Sequence, residues 1–258
     1  MDYIYSKMAN KNQPHDRYFK DMFQHCDLAK EFLDIYLDRD IHKEVDWATF
    51  TPYDTSFIGG KERQKYADIL YSAQIKDQAI EVLFMLNHER NPDKMLGLKI
   101  AEYIIGATRR SLRQGHDRHV FVLSFTLYNG VQRPYPYPYP YSYSHLSNLT
   151  GMGLIDKLRL SEQSLIDLSR CEDAVLYAHG NVGLVELFMK QVNNDDIVKW
   201  LGHDKNFVLN LERSQYVDRS LRYLVDVNAY EMRILLSLLE EISPKLKEKM
   251  LTTSQQIE

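Results

Sequence analysis

Two apolar strands joined by a short polar turn are predicted by residues 66–94, YADILYSAQIKDQAIEVLFMLNHERNPDK. The first strand carries one acid, Asp68, in an otherwise apolar run, and the second ends in the polar residues 87–90. A lone acid inside a strand costs free energy unless a charged partner compensates it. Carboxylates on neighbouring strands, such as Asp68 and Glu89, are suited to holding a divalent metal. From spacing alone, an ion pair with a nearby cation such as Arg90 explains the same residues more simply.

The segments on either side of this stretch predict an α/β core. A strand is predicted at 53–58, and a helix from about 94 to 114 with Asp93 as its N-cap and Gly115 as its C-cap. The apolar run at 119–128, HVFVLSFTLY, is typical of a buried central strand. Strand, helix and strand at this spacing predict a βαβ crossover.

The remainder of the chain changes character after a proline- and tyrosine-rich tract. Alternating proline stops both helix and sheet, so this tract is predicted to be extended, as a stiff spacer or as a ligand for a proline-binding module. Helices are predicted beyond it, including one in SEQSLIDLSR, residues 161–170. The predicted organisation is a disordered N-terminus (1–13), an α/β core (14–133), an extended segment (134–144), a helical region (145–251) and a frayed tail (252–258).

Composition limits the classes of function. The 258 residues include 32 Lys and Arg against 36 Asp and Glu, so the net charge of −4 provides no overall basic footprint for nucleic acid. Two cysteines without a CxxC pattern favour a reducing, cytoplasmic setting. No apolar run approaches the roughly 18 residues of a membrane span, and the N-terminus lacks the apolar core of a signal peptide.

A His-Asp dipeptide occurs at residues 15–16, 116–117 and 203–204. Metal-dependent phosphohydrolases use such pairs, but nothing in the sequence brings these three together. The chain also lacks a glycine-rich nucleotide loop and a serine or cysteine nucleophile elbow.

Several short motifs, in order along the chain, resemble one family. They are His15-Asp16-x-x-Phe19-Lys20, Ser56-Phe57-Ile58, Arg63-x-x-Tyr66-x-Asp68-Ile69-Leu70-Tyr71-Ser72, His88, Pro92-Asp93-Lys94, Leu127-Tyr128-Asn129-Gly130-Val131 and Pro134-Tyr135-Pro136-Tyr137. Together they resemble the Rpn family of recombination-promoting nucleases, within the PD-(D/E)XK nuclease superfamily. The resemblance is clear over residues 14–140 and looser to about residue 240.

The resemblance implies a restriction-endonuclease-like α/β fold, with a mixed sheet flanked by helices and followed by a mostly helical C-terminal region. It implies a hydrolase that cleaves DNA with Mg²⁺ or Mn²⁺ and promotes DNA recombination. The family's metal-binding aspartate falls on Asp68, and its next strand usually ends in Glu-His-Gln. Here that triplet is Asn87-His88-Glu89, so Asn87 keeps an oxygen but loses the charge. Glu89 supplies a carboxylate two residues later, on the same face of the strand.

Two outcomes follow for function. Either Asp68 and Glu89 hold the metal in an altered but working DNA endonuclease, or the site is impaired and the protein binds DNA or a protein partner without cutting. The helical acid of such folds corresponds to Glu31. The predicted phosphate contacts are Lys65, Lys94 and Arg109. A second copy of the chain, bound through the C-terminal helices, is a further expected partner, and a helical interaction protein unrelated to DNA is a third interpretation.

Overall fold

The computed structural model describes residues 14–53, 69–77, 80–113, 121–137, 163–192, 197–227 and 232–255. These residues belong to two compact units. The α/β unit lies within Tyr36–Asp167, and the helical unit combines residues of Met1–Ile35 with residues of Leu168–Glu258. The α/β unit therefore runs from Tyr36 to Asp167, whereas the sequence placed the α/β core at residues 14–133.

In chain order, the described helices and strands are α1 (residues 14–23), α2 (Cys26–Tyr36), α3 (Arg39–Glu44), β1 (Val45–Pro52), β2 (Ile69–Ile75), β3 (Glu81–Glu89), α4 (Leu96–Arg113), β4 (Phe121–Tyr128), β5 (Gln163–Asp167), a 3₁₀ turn (Leu168–Arg170), α5 (Asp173–Tyr177), α6 (Gly180–Gln191), α7 (Ile197–His203), α8 (Lys205–Arg213), α9 (Val217–Val227), α10 (Met232–Ile242) and α11 (Pro244–Gln255).

The five strands described in the α/β unit form one mixed sheet with the order β1-β2-β3-β4-β5. The first three strands are antiparallel, and β3, β4 and β5 run parallel to one another. The β3-α4-β4 segment is the crossover that the sequence predicted, so the α/β prediction with a mixed sheet is confirmed. The hairpin between β2 and β3 includes Asp77 at φ 56°, a left-handed conformation that aspartate tolerates better than most residues.

The centre of the sheet is β3, in which every residue from 82 to 88 is buried. Both of its faces are covered, which explains why its sequence is a continuous apolar run rather than an alternating one. Helix α4 packs on one face, where the core residues are Leu70, Leu83, Met85, Leu96, Ile100, Tyr103 and Val122. The opposite face carries an aromatic cluster of Trp47, Phe50, Tyr71 and Phe84.

In the helical unit, α1 and α2 pack against helices from the C-terminal part of the chain. Tyr18 stacks on Tyr223 with ring centroids 4.1 Å apart, and its hydroxyl lies 2.9 Å from the Ser220 hydroxyl. Burial raises the pKa of Tyr18, so this phenol stays protonated. These buried contacts explain why residues 14–35 group with the C-terminal helices, although the sequence assigned them to the α/β core.

Two strands differ from the sequence-based expectation. Residues 45–52 form β1, a strand that the sequence did not predict. The strand expected at 53–58 lies, after its first residue, outside the described residues. The helix expected in 161–170 was wrong, because Gln163–Asp167 is β5. A parallel ladder with β4 provides the backbone partners that override the weak helical period of this segment.

The C-terminal region is helical over most of its described length. On two of its helices, α9 and α10, the apolar residues Leu221, Leu224, Val225, Leu235 and Leu239 are buried. Helix α11 extends to Gln255, past the predicted boundary at residue 251. Residues 1–13 lie outside the described residues. Among the helices described, none is both long enough and apolar enough to cross a lipid bilayer.

Candidate functional site

The carboxyl ends of the three parallel strands lie side by side at one edge of the sheet. Glu89 on β3 is in register with Tyr128 on β4, which is in register with Asp167 on β5. Residues directly opposite in a sheet point to the same face. Ligands of open α/β sheets commonly bind beyond the carboxyl ends of parallel strands, so this edge is the first place to look for a site.

Two residues before this edge on β3 and β4, the same face of the sheet carries buried polar side chains. Asn87 is in register with Thr126, and its side-chain Nδ2 donates a long hydrogen bond of 3.4 Å to Ser124 Oγ. Thr126 is fully buried, and its Oγ1 has no hydrogen-bond partner among the described residues. A buried hydroxyl without a partner costs free energy, so this oxygen marks a position where a ligand would be favoured.

His88 points to the other face of β3, because successive side chains of a strand alternate. Its Nε2 donates to Asn129 Oδ1 at 2.8 Å, and the backbone N–H of Asn129 donates to the Glu89 carbonyl at 3.2 Å. These bonds connect the end of β3 to the loop that follows β4. His88, the middle residue of the Asn-His-Glu triplet, therefore helps to hold the Glu89 backbone in place through Asn129.

Tyr135, the first tyrosine of the proline- and tyrosine-rich tract, is buried at this same edge. Its backbone N–H donates to Asp167 Oδ2 at 2.8 Å, and its hydroxyl donates to the Asp93 carbonyl at 2.8 Å. Its ring meets Tyr128 edge to face at 4.8 Å. Burial raises the pKa of Tyr135, and the nearby charge of Glu89 adds to the shift. The start of the tract is thus an anchored part of the site edge.

The segment that leaves β3 is held by Asp93. Its carboxylate accepts a 2.8 Å hydrogen bond from the Met95 backbone N–H and forms an ion pair with Lys99. Desolvation by burial raises the pKa of Asp93, but the bonds from Lys99 and Met95 outweigh it and lower the pKa below its ordinary value. The sequence predicted Asp93 as the N-cap of a helix from about residue 94, whereas α4 begins at Leu96 and the Asp93 carboxylate accepts from the turn that leads into it.

The structure brings two of the sequence-predicted site residues, Asn87 and Glu89, to one face of one strand. Asp68 directly precedes Ile69, the first residue of β2, and lies outside the described residues, as does Lys65. Lys94 is exposed just before α4.

The remaining two predicted residues lie on helices. Arg109 belongs to α4 in the α/β unit. Glu31 lies on α2 in the helical unit, where its two carboxylate oxygens accept from Asn181 Nδ2 at 3.2 and 3.3 Å. The structure therefore gives Glu31 a hydrogen-bond partner within that unit.

The described His-Asp dipeptides have structural contacts. His15 Nδ1 lies 2.6 Å from the Tyr223 hydroxyl, and the Asp204 carboxylate caps α8 by accepting from the Phe207 backbone N–H at 3.0 Å. Within the part of the chain that the structure describes, no three His, Cys, Asp or Glu residues are grouped as a metal site. These dipeptides therefore add nothing to the site at the sheet edge.

Sequence reasoning overlooked Ser124, Thr126 and Asp167. A signal for the first two was available, because polar residues alternate with apolar ones in the second half of β4, at positions 124, 126 and 128. That period places the three side chains on one face of the strand. No comparable signal marked Asp167, whose segment resembled a helix.

The oxygen-bearing side chains on this face could hold a hard divalent cation. The Asn87 amide, the Glu89 carboxylate and the Thr126 hydroxyl all provide oxygen, the ligand that Mg²⁺ and Mn²⁺ prefer. Among the described residues, Thr126 Oγ1 has no partner, so this oxygen is available to a ligand or to a bound water.

A mixed sheet whose central strand ends in polar residues, with a helix packed on one face of the sheet, defines an α/β protein with a nuclease-like fold. The chain belongs to the family described as "Putative transposase, YhgA-like", whose model matches residues 13–221. No solved structure matches the chain.

Three relatives have informative names. The chain is 26% identical to Recombination-promoting nuclease RpnA of Escherichia coli strain K12, over 95% of this chain and 83% of that protein. It is also 26% identical to Recombination-promoting nuclease RpnC of the same strain, over 74% of this chain and 62% of that protein. The same identity and coverage relate it to a third protein of that strain, Inactive recombination-promoting nuclease-like protein RpnE. The relatives of this chain thus include proteins named as nucleases and proteins named as inactive.

Proposed function

We propose that this protein is a metal-dependent DNA endonuclease that promotes recombination. Its family membership and the names of RpnA and RpnC support the class of activity. The observation that carries the proposal for this chain is the face shared by Asn87, Glu89 and Thr126, where a buried oxygen has no protein partner among the described residues.

In the proposed site, Asp68 and Glu89 hold Mg²⁺ or Mn²⁺, and the Asn87 amide oxygen is a weaker third ligand. A cation bound there would lower the pKa of the attacking water and stabilise negative charge on the scissile phosphate. Asn87 and Glu89 keep their positions because β3 is buried and paired on both sides. The role of His88 is to hold the Glu89 backbone through Asn129.

A second function, DNA binding without cleavage, is favoured by one contact of Asn87. Its amide nitrogen donates to Ser124, an arrangement that a glutamate at this position could not make. A relative named as an inactive nuclease-like protein supports this alternative. In this alternative, the substitution of the family glutamate removes too much negative charge for productive metal binding.

A plasmid-nicking assay in Mg²⁺ or Mn²⁺ separates the two functions. We expect the wild-type protein to nick supercoiled DNA, and we expect Asp68→Ala and Glu89→Gln to lose at least about 100-fold in rate, as for the loss of a charge-stabilising group. Glu81→Gln is the matched control, because Glu81 is exposed at the opposite end of the same strand and points to the same face.

Each result has a defined meaning. Equal losses in Glu89→Gln and Glu81→Gln would show that the site is elsewhere. A silent wild-type protein that gains nicking through Asn87→Glu would overturn the endonuclease proposal and support the non-cleaving alternative.

Phosphate contacts by Lys65, Lys94 and Arg109 belong to the same proposal. Loss of one such contact lowers the slope of log affinity against log salt by about one. A complete lack of salt-dependent DNA binding would instead favour the helical interaction protein. Self-association through the C-terminal helices and a cytoplasmic location stay predictions.

A further inference from the structure

Exposed apolar side chains surround the carboxyl edge of the sheet. They are Met95, which is 40% exposed, Val131, 71% exposed, and Tyr137, 38% exposed. Met95 follows β3 by a short connection, and the other two follow β4. We call these three residues, with the exposed cations Lys94 and Arg133, the rim. Single exposed apolar residues are common, so it is the position of these three beside the candidate site that makes them candidates for ligand contact.

The loop that carries Val131 is held firmly in place. Its first residue, Asn129, is bonded to the His88 side chain and to the Glu89 carbonyl. Tyr128 donates its hydroxyl to the Gln132 carbonyl at 2.5 Å, and Arg133 Nε donates to the Gly130 carbonyl at 3.2 Å.

Gly130 has its own reason to be glycine. A Cβ there would overlap the Tyr128 ring and the Arg90 carbonyl oxygen. Close packing at Gly130 therefore holds the loop in place, and the Val131 side chain stays exposed to solvent.

Tyr137 has a similar support. Its ring lies edge to face against Tyr135, with centroids 5.9 Å apart. Tyr135 is itself fixed by hydrogen bonds to Asp167 and Asp93. An aromatic ring that is held in place while part of it stays in solvent loses little conformational entropy when a second ring stacks on it.

The charge and chemistry of the rim point to nucleic acid with exposed bases. Lys94 and Arg133 suit phosphate groups, whereas aromatic and aliphatic side chains gain most from the faces of bases, which stacking covers in an intact duplex. Unpaired or unstacked bases present apolar faces that aliphatic wedges and aromatic rings bind. Because the rim borders Glu89, one DNA molecule could reach both.

We infer that the rim selects DNA at a locally unpaired or distorted position. Val131 and Tyr137 contact the exposed bases, and Lys94 and Arg133 contact the flanking phosphates. This inference rests on the proposed function, because it assigns a substrate preference to the same site. It is testable without cleavage, since binding can be measured in the absence of a divalent metal.

The experiment measures fluorescence anisotropy with three labelled DNAs in EDTA: an intact duplex, the same duplex with a short unpaired bulge, and one single strand. We expect the wild-type protein to bind the bulged duplex about tenfold more tightly than the intact one, a factor within the range of base stacking on an aromatic side chain. The double variant Val131→Ser, Tyr137→Ala should lose this preference and keep its affinity for the intact duplex within about twofold.

The matched control is Phe121→Ser, because Phe121 is 55% exposed at the opposite end of β4. It should keep the preference for the bulge, and near-ultraviolet circular dichroism checks that each variant is folded. The inference is overturned if the wild-type protein binds bulged and intact duplexes equally. It is also overturned if the control loses as much preference as the double variant, or if no DNA binds, in which case the rim suits a protein partner.

These outcomes are separable from those of the nicking assay. A preference for the bulge without nicking would remove the endonuclease proposal and leave the rim inference intact. Nicking without a preference for the bulge would support the endonuclease proposal and overturn the rim inference.

Discussion

The replacement Thr126→Val tests whether the buried oxygen beside Asn87 is kept for a ligand. Thr126 is fully buried on β4, and its Oγ1 has no hydrogen-bond partner among the described residues. A protein selected only for stability would gain by having an apolar side chain of this shape there. We therefore expect Thr126→Val to stabilise the metal-free protein.

The size of the effect follows from the environment of the hydroxyl. A buried hydroxyl without a partner costs about 1–3 kcal/mol by mutational measures. The added methyl group contributes up to about 0.8 kcal/mol more if it finds room. A gain of 1 kcal/mol raises the melting temperature by about 2–4 °C for a protein of this size.

The assay uses the two tryptophans of the chain. Trp47 lies on β1 and packs on Phe84, so its fluorescence reports on the α/β unit. Trp200 lies on α7 in the helical unit, and a Trp200→Phe background removes its signal. Thermal melts are recorded in EDTA and in Mn²⁺. If Thr126 binds the cation or its water, the shift in melting temperature caused by Mn²⁺ should be smaller in Thr126→Val.

Thr49→Val is the matched control, because it makes the same change at a hydroxyl that is satisfied. Thr49 Oγ1 donates to the Asp46 carbonyl at 2.7 Å and accepts from the Gln74 N–H at 2.8 Å. Its loss should lower stability by about 0.5–1.5 kcal/mol per bond. If Thr126→Val destabilises the metal-free protein as Thr49→Val does, the Thr126 oxygen has a protein partner and the argument for a ligand there fails.

Two further predictions concern the edge of the site. Asp167→Ala leaves the Tyr135 backbone N–H without its acceptor and should lower the free energy of unfolding by about 1.5–3 kcal/mol in urea denaturation. Asp167→Asn keeps an acceptor oxygen and should cost less. Equal losses in the two variants would contradict the role of Asp167 as the acceptor for Tyr135. Burial raises the pKa of Asp93, but the bonds from Lys99 and Met95 outweigh it and lower the pKa from 3.8. The charged Asp93 therefore contributes stability above pH 3.8, and this contribution is lost as the pH falls through the lower folded-state pKa. Asp93→Asn should therefore show a smaller loss of stability on acidification below about pH 4 in the same assay, and parallel pH profiles for wild type and variant would rule this out.

The parts of the fold that could be predicted are those whose sequence carries a strong local signal. The apolar runs of β3 and β4 and the amphipathic α4 are long enough to identify. By contrast, β1 and β5 carry weak or misleading local patterns. They are strands because their neighbours supply backbone hydrogen bonds, which a local pattern does not contain.

The candidate site was only partly predictable for the same reason. Asn87 and Glu89 share a face because they are two residues apart on one strand, and this spacing is visible in the sequence. Thr126, Tyr128 and Asp167 join them only through the register of three strands that are far apart along the chain. The proline- and tyrosine-rich tract was expected to be a spacer or a ligand, yet Tyr135 is buried against Tyr128.

By itself, the sequence determined the α/β class, the central strand and its Asn-His-Glu ending, because periodicity and spacing along one strand are local properties. Only the tertiary structure decided that Thr126 lies beside Asn87 with an oxygen that no described residue bonds, and that Tyr135 joins Asp167 to Asp93. The physical reason is that strand register depends on packing and hydrogen bonds between distant segments. One step in register would move the Thr126 side chain to the other face and remove it from the site.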